Sequence, residues 1–104
     1  MDSFVRIHVR EGMEDEAEKA LREVLRATRE EAGCVRIDAF RELRGGRKFY
    51  IHSTWKDEAS FGQHGKLAHT ARFIERMKEL IDQEFEVTRA EKIEEVASGG
   101  KAKQ

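Results

Sequence analysis

Two alternating runs joined by a pair of glycines leave this chain little choice of local architecture. From Cys34 to Leu43, the residues Val35, Ile37, Ala39 and Leu43 oppose Arg36, Asp38, Phe40 and Glu42. Period two is the side-chain repeat of a strand with one buried face. From Phe49 to Trp55 the pattern returns, with Phe49, Ile51, Ser53 and Trp55 against Tyr50, His52 and Thr54. Arg44-Gly45-Gly46-Arg47 lies between the runs, and its glycines supply the positive φ values of a tight turn, so the two form an antiparallel hairpin.

The rest of the chain completes a pattern around this hairpin. Residues Phe4–Arg10 alternate, Val5, Ile7 and Val9 facing one way and Phe4, Arg6, His8 and Arg10 the other. After the turn at Glu11-Gly12, Ala17, Ala20, Leu21, Val24, Leu25 and Thr28 recur at three and four, which predicts an amphipathic helix from about Met13 to Glu31. Glu14, Asp15 and Glu16 oppose the positive end of its dipole, and Gly33 is expected as its left-handed C-terminal residue. Beyond the hairpin, Asp57 is a predicted N-cap for a short helix over residues 58–64, and Gly65 permits a bend. A second helix is predicted from about Leu67 to Gln83, with His69, Phe73, Met77 and Leu80 as its buried stripe. A last strand is predicted over Phe85–Ile93, with Phe85, Val87 and Ile93 on the core side. The order strand, helix, strand, strand, helix, strand is the ferredoxin-like split β-α-β arrangement of an α+β domain, a four-stranded antiparallel sheet with the helices on one face. One domain over residues 1–96 and a flexible tail over 97–104 account for the chain of 104 residues.

Charge narrows the range of partners. Twenty Lys and Arg against twenty-one Asp and Glu, interleaved along the chain, give a formal charge of −1. A nucleic-acid or anionic-membrane footprint requires a basic surplus on one face, so neither partner is expected. No apolar run approaches the roughly 18 residues of a membrane span, and the N-terminal stretch lacks the apolar region of a signal peptide, so a cytoplasmic protein is expected. Cys34 is the only cysteine, which excludes an intrachain disulfide and suits a small core residue. The outward sheet face would carry Phe4, His8, Phe40, Tyr50 and His52, too aromatic to leave bare. A two-fold partner covering it, hence a homodimer, is the economical expectation.

The candidate site lies in the stretch Phe49–Phe73, FYIHSTWKDEASFGQHGKLAHTARF. A strand closes on Trp55, the turn Lys56-Asp57-Glu58 follows, and Phe61, His64, His69 and Phe73 come after it. Together with the TREEAGC joint over Thr28–Cys34, this stretch resembles the antibiotic biosynthesis monooxygenase family of small dimeric α+β barrels, over roughly residues 3–95. The resemblance implies two sheets closing face to face, and oxidation of a small aromatic substrate of the quinol or polyphenol kind by O2 as co-substrate, without metal, flavin or haem. A neutral imidazole titrates near neutral pH and can deprotonate an acidic phenol. His64 is the first candidate for that base and His69 the second. Trp55, Phe61, Phe73 and Met77 are candidates for the substrate-binding wall, and Ser53 offers a hydroxyl.

Ser53 stands where many members place a glutamate, which removes one partner for a catalytic imidazole. His64 and His69 are five apart, with no carboxylate at the spacing of a known zinc signature, so no metal site is expected. Two other activities belong to the same fold. A non-oxygenase member would bind or isomerise a small metabolite. Haem-degrading relatives carry an asparagine, a tryptophan and a histidine where this chain has Val5, His64 and a residue near Ile74.

Overall fold

The computed structural model describes residues 1–94. Its elements run β1 (Asp2–His8), α1 (Glu14–Thr28), β2 (Cys34–Arg41), β3 (Lys48–Trp55), α2 (Glu58–His64), α3 (Ala68–Met77) and β4 (Glu86–Ala90). The four strands form one sheet in the order β2-β3-β1-β4, antiparallel at every pairing. This is the α+β ferredoxin-like arrangement that the element order requires. Both hairpin glycines adopt positive φ, 80° at Gly45 and 69° at Gly46, as the turn demands.

The sheet's inner face and the apolar stripes of α1 and α3 make the core. Ile7, Ile37, Phe49 and Ile51 from the strands, with Val9 just beyond β1, meet Ala17, Leu21, Leu25, Met77 and Leu80, all buried. Val5 and Phe73 pack against this cluster while partly exposed. Burying each large side chain of this kind stabilises by about 1.5–3 kcal/mol.

Several boundaries and faces differ from the sequence pattern. The register between β2 and β3 slips at Cys34/Arg36, and this bulge turns Val35 outward, 66% exposed, where alternation places it in the core. Leu43 and Ile93 are fully exposed and Val87 is half-exposed, so these three are not core residues. The last strand is correspondingly shorter than expected. Helix α3 stops at Met77 rather than Gln83 because the backbone beyond it pairs with the end of β1. The Arg10 N–H donates to the Leu80 carbonyl at 2.8 Å, Asp82 N–H donates to the His8 carbonyl at 3.1 Å, and Val9 bridges Ile81. Gly33 does not take positive φ; among the described residues only Gly12, Gly45 and Gly46 do. Its lack of a side chain serves close approach instead, since a Cβ there would lie 2.4 Å from the Ser60 Cβ. The expected tail over 97–104 and the end of the expected domain at residue 96 lie outside the described residues.

Candidate functional site

Three elements converge at one carboxylate. Helix α1 ends at Thr28, and Glu31 follows in a turn fixed on both sides, its N–H donating to the Thr28 carbonyl at 3.0 Å and its carbonyl accepting from Cys34 N–H at 3.1 Å. The joint is then drawn beneath α2, where Lys56 N–H donates to the Gly33 carbonyl at 2.9 Å and Gly33 abuts Ser60. Helix α2 starts as its sequence predicts, with Asp57 Oδ1 accepting from the Ser60 N–H at 2.8 Å and the Ser60 hydroxyl at 2.7 Å. Seven residues of helix carry the chain to His64, and α3 carries His69.

Glu31 Oε2 lies 2.7 Å from His64 Nδ1 and 2.6 Å from His69 Nε2. An ionised carboxylate only accepts, so both facing nitrogens donate. That arrangement leaves His64 Nε2 and His69 Nδ1 as the lone-pair nitrogens. The Thr70 hydroxyl lies 3.3 Å from His64 Nδ1. The group is well shielded, with side-chain exposures of 11% for Glu31, 15% for His64 and 21% for His69.

Aromatic rings wall one side of this cluster. The Trp55 ring centroid lies 4.9 Å from that of His64 and 5.6 Å from that of Phe61. The Trp55 indole N–H donates to the Ser53 hydroxyl at 2.8 Å, which holds the ring in place and occupies one side of that hydroxyl. Beside Ser53 in the β1–β3 register, Ser3 is fully buried, and its hydroxyl has no partner among the described residues. Arg89 covers the outer side of Phe61 at 5.0 Å and donates to Glu58 at 3.0 Å.

The expected site residues fall into two groups. His64, His69, Trp55, Phe61 and Ser53 share one neighbourhood. Phe73 and Met77 belong to another: Met77 is fully buried in the core, and Phe73 packs on Phe85 with centroids 6.1 Å apart. A cleft of about 650 Å³ between α1 and α3 is lined by His69 and Phe73 together with Ala20, Val24, Ala27 and charged rim residues such as Arg72. None of His64, Trp55, Phe61, Ser53 or Met77 lines it, so His69 alone joins the cleft to the carboxylate cluster.

Glu31 is the residue that sequence reasoning missed. It stands 33 residues before His64. The sequence carries one hint, since Glu31 lies within the TREEAGC joint over Thr28–Cys34. The carboxylate that meets both imidazoles comes from the α1–β2 joint.

A profile of the antibiotic biosynthesis monooxygenase family matches residues 4–76, which span β1 through most of α3 and include all three members of the cluster. The chain belongs to the antibiotic biosynthesis monooxygenase family. Among solved structures, one described as an antibiotic biosynthesis monooxygenase is similar at 19% identity with a TM-score of 0.85, covering 89% of this chain and 98% of that one. A Pseudomonas aeruginosa protein is similar at 22% identity with a TM-score of 0.83, over 89% of this chain and 93% of that one. A Bacteroides thetaiotaomicron protein described as a possible oxidoreductase is similar at 26% identity with a TM-score of 0.76, over 84% of this chain and 93% of that one. No curated protein sequence matches the chain. No helix of the described residues is long and apolar enough to cross a membrane.

Proposed function

We propose that this chain is a cofactor-independent monooxygenase that oxidises an electron-rich phenol or quinol with O2. The observation that carries the reading is the single Glu31 oxygen shared by His64 and His69 beside the Trp55 ring. A carboxylate holding one nitrogen of an imidazole fixes the tautomer, so the far nitrogen is presented as a base, and the charge that develops on the ring is stabilised. His64 Nε2 takes the phenolic proton, with His69 as the second base.

The phenolate then passes one electron to O2, the resulting radical pair recombines at a ring carbon bearing hydrogen, and the peroxide anion formed there takes the proton back from His64. Loss of water from that hydroperoxide leaves a new carbonyl, one oxygen atom going to product and one to water. Trp55 and Phe61 would hold the ring and Ser53 would offer a hydroxyl to a substrate oxygen, while Phe73 lines only the cleft that His69 joins and Met77, fully buried in the core, takes no part. Excluding water from the anion favours the electron transfer. The reading includes a cytoplasmic homodimer closed over the aromatic sheet face, where Phe4, Phe40 and Tyr50 are 48%, 55% and 40% exposed.

The test is O2 consumption with hydroquinone-type substrates in metal-free buffer. His64→Ala is expected to lose at least about a hundredfold in rate, the lower range of general-base contributions. Equal rates would dismiss His64 as the base. The shared carboxylate also favours a second reading, proton transfer in an isomerase, because two imidazoles on one acid can both take and return a proton. Substrate turnover without O2 uptake identifies that alternative.

A further inference from the structure

We infer that Glu31, His64 and His69 also form a binding site for a divalent first-row transition metal. Two imidazoles and one carboxylate are the donor set of catalytic zinc and non-haem iron centres, which keep further positions open. Here the three donors come from three different segments and lie within 4.8 Å of one another. The present contacts, 2.6 and 2.7 Å, are hydrogen bonds. Ligands at ordinary metal distances stand about 3 to 3.5 Å apart, so the Glu31 carboxylate must withdraw slightly and the two imidazole nitrogens, within 4.8 Å of each other, must draw together as the cation replaces the two bridging protons. The Thr70 hydroxyl, already 3.3 Å from His64 Nδ1, stands next to the open positions.

The other two histidines make the contrast. His8 meets Asp82, and His52 meets Asp2 at 2.9 Å, each a lone imidazole on one carboxylate. Two donors hold a cation far less firmly than three converging ones. The inference goes beyond the proposed reaction, in which no metal takes part. A cation on His64 Nδ1 moves the ring proton to Nε2 and removes the lone pair that the base needs, so metal loading would silence a phenol-deprotonating site.

The experiment is titration of chelator-stripped protein with Co2+, read by its visible absorption and by the melting midpoint, neither of which depends on catalysis. The wild-type chain is expected to take one Co2+ with a visible band and a raised midpoint. His64→Ala, His69→Ala and the near-isosteric Glu31→Gln should each weaken binding by at least about tenfold, the lower bound seen even for supporting residues of metal sites. The double variant His8→Ala/His52→Ala should bind as the wild type does. Circular dichroism identifies any variant that has lost its fold, and Glu31→Gln, which keeps the side-chain volume, then decides. Absence of a band in the wild type, or a band that persists undiminished in the folded Glu31→Gln variant, would overturn the inference.

Discussion

Cys34 is a reporter on the site at the scale of single residues. Burial pushes its thiol above the ordinary value of 9.0, and the negative charge of Glu31 adds to that effect. The thiolate is the reactive form, so alkylation of the folded protein at mildly alkaline pH should be slow. Glu31→Gln removes the charge and should quicken it, because the thiolate then forms more readily. An unchanged rate would mean that Glu31 is not ionised beside the thiol. Asp2 makes a second case. The Thr54 hydroxyl, and next to it His52, donate to its carboxylate and hold its pKa below the ordinary 3.8. A depressed carboxylate stabilises the fold above the unfolded pKa and loses that contribution as pH falls through the folded value. Chemical denaturation should therefore show Asp2→Asn less stable than wild type at neutral pH, with the gap closing in acid; a gap that stays constant with pH would exclude the ionised pairing. The sequence reading placed the two site histidines beside Trp55 because short-range helical spacing fixes them. It could not find Glu31, because the contact of residues 33 and 38 positions apart depends on how α1 meets α2 and α3.

Among the elements, the α1–β2 joint decides how the site is assembled. Gly33 permits α2 to descend onto the joint, and an added Cβ would meet the Ser60 Cβ at 2.4 Å and its Oγ at 2.5 Å. Gly33→Ala should destabilise by about 1–3 kcal/mol, the usual cost of overpacking. Ser60→Gly in the same chain should recover most of this, because the Asp57 cap still accepts from the backbone N–H of residue 60. Denaturant midpoints of the two variants test the claim, and equal midpoints for both would remove close packing as the role of Gly33. Strand and helix order were legible because periods of two and of three to four alternate cleanly along the chain. Element ends were less so. The end of α3 is set by hydrogen bonds to residues 8–10, and the outward turn of Val35 by a bulge, and neither leaves a mark in local periodicity.

For the whole molecule, the sheet has one packed face and one aromatic face. Phe4 stacks on His52 with centroids 4.6 Å apart and planes 3° from parallel, and Phe40 and Tyr50 pair across β2 and β3. Light scattering should give twice the mass of the chain, and Phe40→Glu, which would bury a charge at the two-fold contact, should give the monomer. A monomeric wild type would remove the dimer from the proposal. The family and the fold were legible because they rest on the order of many ordinary residues. The division of the expected pocket wall was not, since Met77 and His69 share one helical stripe in the sequence while packing sends one to the core and the other to Glu31. One feature of the cluster has a practical side. The chain holds a single indole, that of Trp55, and it rests against the His64 ring. Its emission, excited at wavelengths where Tyr50 does not absorb, therefore carries no signal from a second indole, and a fluorimeter can watch the carboxylate, the two imidazoles and their aromatic wall come together or part as the protein is warmed, loaded or mutated.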